Sequence, residues 1–304
     1  LAWNTHRHFE AYYGVSGIGA ILHTINPRLF EEQLAYIIDH AGDSYLFVDL
    51  NLFPLVERLI AKIPTVKGVV VMTDAATMPS SEKIPNAICY ETLISGEPDR
   101  YDWPSFDEKT ASSLCYTSGT TGHPKGVLYS HRSTILHAYA AALPDALNLS
   151  AKDSILPVVP MFHANAWSLP YVATLTGAKL VMPGPKLDGA SVYELLESEA
   201  VTFTSAVPTV WLMLLGHLRE SGLKLSTLKR VVIGGSACPR SMMEAFERDY
   251  GVEVRHAWGM TEMSPLGTLN TPKAKHRGES REAYFDRGEK QGRPIYGVEI
   301  QIVD

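Results

Sequence analysis

Cysteine is scarce in this chain. Only Cys89, Cys115 and Cys238 occur, and no two of them form a CxxC pair. The spacing points to neither a zinc site nor a disulfide framework, although distant cysteines can still meet in space. Three reduced, mostly buried thiols are expected. Long apolar runs are also missing. The best, ILPVVPMF at 155–162, is short and holds two prolines, so nothing spans a bilayer as a helix. No signal peptide is visible, and the cytoplasm is the default compartment. A basic excess is absent too: the formal net charge is −6, which argues against a nucleic-acid partner. A local phosphate site stays open, because it needs only one or two cations and backbone N–H groups. There is no internal repeat and no low-complexity tract.

What is present is a regular alternation. The 304 residues are 45% hydrophobic, enough for one large or two ordinary domains. EEQLAYIIDHAG (31–42) carries Leu34, Ile37, Ile38 and Ala41 at helical spacing. YLFVDL (45–50) reads as a strand, LFPLVERLIAKI (52–63) as a helix and GVVVM (68–72) as a strand again. This is βαβ order, which predicts an α/β fold with mainly parallel sheets. A polar, proline-bearing stretch separates about residue 73 from 110. Beyond it ASSLCYT, GVLYS, SILPVV, AKLVM, VTFTSAV, RVVIGG and VEVRHA are strand candidates. The helix at 130–143 is expected to be capped by Ser130. Another is expected to start at Ser191 with Glu194 as its capping-box partner, and a third at Pro208. Residues 271–292 read as a charged, solvated loop or surface helix. VEIQIVD (298–304) alternates like a strand. Two packed αβ subdomains are expected, about 1–110 and 111–304.

The segment YTSGTTGHPKGV (116–127) stands between two strand candidates. Its glycines permit close approach of a ligand, and its hydroxyls and N–H groups suit an anion-binding concavity. Lys125 adds positive charge, and Pro124 stiffens the base. The common P-loop needs Gly before its Lys and Ser or Thr after it. Here Pro124 and Gly126 hold those places, so a P-loop ATPase is disfavoured.

The segment resembles the signature loop of the adenylate-forming enzymes, the superfamily of acyl-CoA synthetases, luciferases and peptide-synthetase adenylation domains. PMFHANAW (160–167), GGSACP (234–239), HAWGMTEMSP (256–265) and GRPIYGVE (292–299) follow in the family's order. NPRLFEEQLAYIIDHAGD (26–43), PMFHANAW and WGMTEMSPLGT look most like bacterial fatty acyl-CoA ligases, particularly of the medium-chain and 3-methylmercaptopropionyl-CoA ligase type. The resemblance implies ATP-dependent activation of a small or fatty carboxylic acid to an acyl-adenylate. A thioester with coenzyme A then forms. ATP, Mg²⁺ and coenzyme A are the implied cofactors and co-substrates. The implied partners are small molecules, and a homodimer is one assembly open to such a chain.

By the same resemblance Thr117, Ser118, Gly119, Thr120, Thr121, Gly122 and Lys125 cradle the β- and γ-phosphates. Thr117 and Glu262 lie near Mg²⁺, and Thr261 bonds the α-phosphate. Gly235, Ser236 and Ala237 approach the nucleotide, with Gly235 also near the acyl group. His256, Ala257, Trp258, Gly259 and Met260 line the nucleotide pocket. Many relatives carry Gln-Gly-Tyr where this chain has His256, Ala257 and Trp258. His163, Ala164 and Trp167 face the acyl substrate, with His163 a positioning group and not a base. Trp211, Met213 and Leu214 read as core. Val207, Pro208 and Thr209 border the acyl pocket in the family but are not counted among the site residues. The family's ribose-binding Asp and its lid-domain Lys have no counterpart here. The expectation is an internal piece of an N-terminal adenylation domain, lacking the C-terminal lid, inactive or very slow alone. Alternatives are a domain that loads a carrier protein, and a nucleotide- or acyl-binding fragment without turnover.

Overall fold

A computed structural model of the chain describes residues 1–117 and 123–303. The chain divides into two compact units: Leu1–His131 with Met161–His163, and Arg132–Pro160 with Ala164–Asp304. The strand pair 111–130, expected to open the second subdomain, is contained in the first of these units.

Within the first unit, helix Glu31–Ala41 follows from its pattern. Leu34, Ile37 and Ile38 are buried on one stripe, and Glu31 and Glu32 complement the N-terminal dipole. The helix ends at Gly42, whose φ of 70° belongs to the left-handed region that glycine adopts freely. Beside it, Tyr45–Asp49, Gly68–Met72 and Ile88–Cys89 form a parallel sheet, with Val48 opposite Val71. Helix Phe53–Leu59 continues as a 3₁₀ turn, Ile60–Lys62, and buries Phe53, Val56 and Leu59 in the same core. A second sheet places Leu22–Thr24 parallel to Ala111–Tyr116, which pairs antiparallel with Gly126–Ser130. Tyr116 lies opposite Gly126, so the signature segment joins the two strands of a hairpin.

The second unit is built on a sheet with seven strands among the described residues. Its spatial order is Arg293–Pro294, Leu266–Leu269, Glu253–Gly259, Arg230–Ile233, Phe203–Ala206, Ser154–Pro157, Lys179–Leu180. The last five named are parallel, and the first two add an antiparallel edge. Leu156, Val231 and Ile233 pack with Trp211, Leu214 and Phe246. The Trp211 and Phe246 rings meet edge to face at 5.7 Å. Met213, expected in the core, lies half exposed on the outer side of helix Pro208–Ser221.

Two further expectations give way to the structure. Helix Gly189–Ser198 is capped by Asp188, not Ser191: the Asp188 carboxylate accepts from the Ser191 N–H at 3.0 Å and from its hydroxyl at 2.7 Å. An ionised acceptor upstream outcompetes a serine hydroxyl, and it starts the helix two residues earlier. Gly189 then fits because a Cβ there would lie 2.4 Å from the Met213 carbonyl oxygen of helix Pro208–Ser221. Residues 298–303 form no strand; Ile302 is 95% exposed and has no strand beside it among the described residues. Cys89, Cys115 and Cys238 are buried and none is in a disulfide, in keeping with their spacing. No helix among the described residues is long and apolar enough to cross a membrane.

Candidate functional site

In the first unit, Thr117 and Lys125 close the neck of the signature loop. The Thr117 N–H donates to the Lys125 carbonyl at 2.9 Å. The Lys125 N–H donates to Thr117 Oγ1 at 3.2 Å. Pro124 is buried and the Lys125 side chain is exposed, so the base is fixed while the ammonium is free to reach a ligand. Ser118, Gly119, Thr120, Thr121 and Gly122 lie outside the described residues. The approach to His163 is anchored in this unit. The Met161 N–H donates to Asn4 Oδ1 at 2.7 Å, and Tyr12 OH donates to the Met161 carbonyl at 2.5 Å. Phe162 meets the Trp3 ring edge to face. His163 itself reaches solvent, but surrounding protein displaces enough water to lower its pKa. The lost hydration favours the neutral ring, which donates or accepts a hydrogen bond without carrying charge.

In the second unit the motifs gather at one edge of the large sheet. Strand order reverses between Ser154–Pro157 and Phe203–Ala206, because Lys179–Leu180 lies to one side and the later strands to the other. Open α/β sheets bind ligands outside the carboxyl ends of strands at such a reversal. Val207 leaves one of those ends, residues 234–238 leave the next, and Gly259 closes the third.

Ala164, Asn165, Ala166, Trp167 and Ser168 all have positive φ, from 43° to 69°. A left-handed run of non-glycine residues costs roughly 1–2 kcal/mol per residue, and such strain collects at functional sites. Here it turns Trp167 onto the sheet edge. A Cβ on Gly234 would lie 3.1 Å from the indole and 3.1 Å from the Ala257 carbonyl oxygen, so the ring rests on the Gly234 backbone. Gly235 has a φ of 79°, and a Cβ there would stand 3.0 Å from Val207 Cγ1. Val207 therefore belongs beside Gly235. Its signal in the sequence is its place at the end of the VTFTSAV strand.

His256 is fully engaged. Its Nδ1 lies 3.1 Å from the Glu289 carbonyl and its Nε2 lies 3.3 Å from the Cys238 N–H. Nδ1 donates and Nε2 accepts, which is the neutral tautomer that the network assigns. Burial lowers its pKa and favours that form. The ring braces the GGSACP segment and offers no free nitrogen to a ligand. Trp258 packs on Gly267, where a Cβ would approach the ring to 2.9 Å. Ser236 and Ala237 are exposed in the turn that follows Gly235.

Thr261 and Glu262 sit on a 3₁₀ turn, Thr261–Met263. The Met260 N–H donates to the Pro265 carbonyl at 3.0 Å, closing that turn. Glu262 is exposed at its tip. No group of three or more His, Cys, Asp or Glu capable of holding a metal occurs among the described residues. One carboxylate and nearby hydroxyls fit a Mg²⁺ that arrives on a nucleotide and keeps phosphate and water ligands.

This fold and these segments define an AMP-binding enzyme: all of residues 1–304 match that family, and the chain belongs to it. The chain is 55% identical to a medium-chain-fatty-acid–CoA ligase of Ectopseudomonas oleovorans, across the whole chain and 56% of that protein. It is 52% identical to a 3-methylmercaptopropionyl-CoA ligase of Ruegeria lacuscaerulensis, with the same coverage. A crystal structure of an anthranilate CoA ligase in complex with anthranoyl-AMP matches the fold with a TM-score of 0.86 at 23% identity, over all of this chain and 55% of that one. The chain thus spans a little over half the length of the relatives it matches.

Proposed function

We propose that the complete protein carrying this chain is an AMP-forming acid–thiol ligase acting on a fatty or other small carboxylic acid. The observation that carries the proposal is the gathering of 164–168, Val207, 234–238 and 259–262 at the carboxyl edge of one parallel sheet. The family match supports the chemistry. A carboxylate oxygen attacks the α-phosphorus of MgATP, the bond to pyrophosphate breaks, and an acyl-adenylate remains. The coenzyme A thiol, losing its proton, then attacks the acyl carbon and AMP leaves.

Each residue has a task that follows from charge. An anion attacks a polyanion, so positioning and neutralisation carry most of the catalysis. In the first unit Lys125, Thr117 and the hydroxyls of the signature loop are assigned to the β- and γ-phosphates and their Mg²⁺; in the second, Thr261 is assigned to the α-phosphate and Glu262 to Mg²⁺. Neutral His163 orients the acid by hydrogen bonding. Ala257 and Trp258 border adenine. The test is acid-dependent pyrophosphate–ATP exchange and coenzyme A-dependent AMP release by the full-length protein. Acids from propionate to palmitate, with 3-methylmercaptopropionate, cover the range. ATP hydrolysis that ignores the acid, or acyl transfer only to a carrier protein, overturns the proposal.

The Trp167 ring on Gly234 supports a role in bounding the acyl channel. Trp167→Ala removes a large flat wall. The expected result is a shift of the preferred acid toward longer or bulkier chains, read from the ratio of kcat/KM values across the series. An unchanged ratio with an unchanged melting temperature assigns Trp167 to packing alone.

A further inference from the structure

The signature loop has a neighbour that its own motif does not contain. Helix Glu31–Ala41 buries Leu34, Ile37 and Ile38, and turns a different face outward. On that face Tyr36 and His40, four residues apart, form a ladder with their rings 5.2 Å apart and 26° from parallel. Tyr36 also stacks on His123, at 4.6 Å and 27°. His40 Nδ1 and Tyr116 OH share a hydrogen bond at 2.7 Å, with the two rings near perpendicular. Burial, ahead of the nearby Asp43 and Tyr36, pushes the Tyr116 phenol up, so it stays protonated. Tyr116 lies over Gly126, where a Cβ would stand 3.3 Å from its ring.

Tyr116 immediately precedes Thr117, and His123 stands two residues before Lys125. The ladder therefore touches both ends of the loop. Plain core packing does not account for it. Tyr36 and Tyr116 pack against the edge of this unit's core, whereas His40 and His123 are exposed and lie outside it. We propose that Tyr36 and His40 are positioning residues that clamp the two ends of the signature loop and set Thr117 and Lys125 for the phosphates of MgATP. The clamp rests on the reading of this loop as the nucleotide's phosphate site. Its physical reason is that the neck between Thr117 and Lys125 is closed by two hydrogen bonds, one of them long. Small displacements of phosphate-holding groups cost heavily in binding and rate.

The experiment compares Tyr36→Ala and Tyr36→Phe in the full-length protein. Alanine loses both stacks, and phenylalanine keeps them, because the ladder is held through the Tyr36 ring and not its hydroxyl. Losing two aromatic contacts should raise the KM for MgATP and the Kd from calorimetry about tenfold. The KM for the acid should not change, and Tyr36→Phe should behave as wild type. His123→Ala removes the same stack from the loop side and serves if Tyr36→Ala fails to fold. The double variant should be little worse than either single one, as expected for one shared contact. An unchanged Kd for MgATP in a folded alanine variant overturns the clamp, as does an equal rise in both KM values. If wild type binds MgATP but shows no acid-dependent exchange, the ligase reading falls, and the Kd comparison still decides the clamp. If wild type binds no MgATP, both fall.

Discussion

Gly259→Ala is expected to abolish useful activity, lowering acid-dependent pyrophosphate exchange by about 100-fold or more. A Cβ at this position would lie 2.2 Å from the Pro265 carbonyl oxygen and 2.9 Å from its carbon. Both are backbone atoms, so no side chain can swing away. Pro265 also accepts from the Met260 N–H at 3.0 Å, and Gly259 pairs with Leu266 just after a register shift in the strand pair. Relief requires the turn to open, and that turn carries Thr261 and Glu262. Overpacking of this kind costs on the order of 1–3 kcal/mol, so the melting temperature should also fall by a few degrees. Gly216→Ala is the control. That glycine lies inside helix Pro208–Ser221 with nothing within 4 Å of an added Cβ, and alanine should stabilise the helix by about 0.5–1 kcal/mol. A folded Gly259→Ala protein with wild-type exchange would remove this turn from the site.

Much of this architecture is legible in the order of the amino acids, and particular residues show why. The helix at 31–41 is legible because burial of Leu34, Ile37 and Ile38 imposes a period of its own. The strand runs at 45–49, 68–72 and 230–233 are legible because both faces of a parallel sheet are buried, which forces continuous apolar runs. Partners are harder. The alternation of 298–303 specifies two faces but no neighbour, and the segment forms no strand. The antiparallel edge from Leu266–Leu269 to Arg293–Pro294 also leaves no local mark, because pairing direction is a property of the chain's return and not of any window. The Asp188 cap is hidden by a better-looking serine pattern downstream.

The site shows the same division. Its motifs are legible as residue types, but their use is not. His256 belongs to a motif, yet its ring nitrogens serve Glu289 and Cys238, 33 and 18 residues away in sequence. Tyr36 and His40 lie about 80 residues before the signature segment, yet they touch its ends. Long-range contacts of this kind are fixed by how strands and helices pack, and a spacing pattern carries no record of them.

Glu262→Gln should slow adenylate formation by about 10²–10³-fold, the range found when one aligned electrostatic partner of a transition state is removed. Glutamine keeps the length and an oxygen acceptor, and removes only the charge. The turn does not depend on that charge. Its backbone bonds include Met263 N–H to the Met260 carbonyl at 2.9 Å, Ser264 N–H to the Thr261 carbonyl at 3.4 Å and Met260 N–H to the Pro265 carbonyl. Glu262 makes no salt bridge among those identified in the described residues, and it is exposed, so the variant should melt with the wild type. On the proposed role of Glu262 as a ligand of the nucleotide's Mg²⁺, the Mg²⁺ concentration needed for half-maximal exchange should rise in the variant. Glu262→Asp, which keeps the charge on a shorter arm, should recover part of the rate. If the glutamine variant exchanges pyrophosphate at the wild-type rate with an unchanged Mg²⁺ requirement, Glu262 is a surface carboxylate and the metal is held entirely by nucleotide, water and hydroxyl ligands.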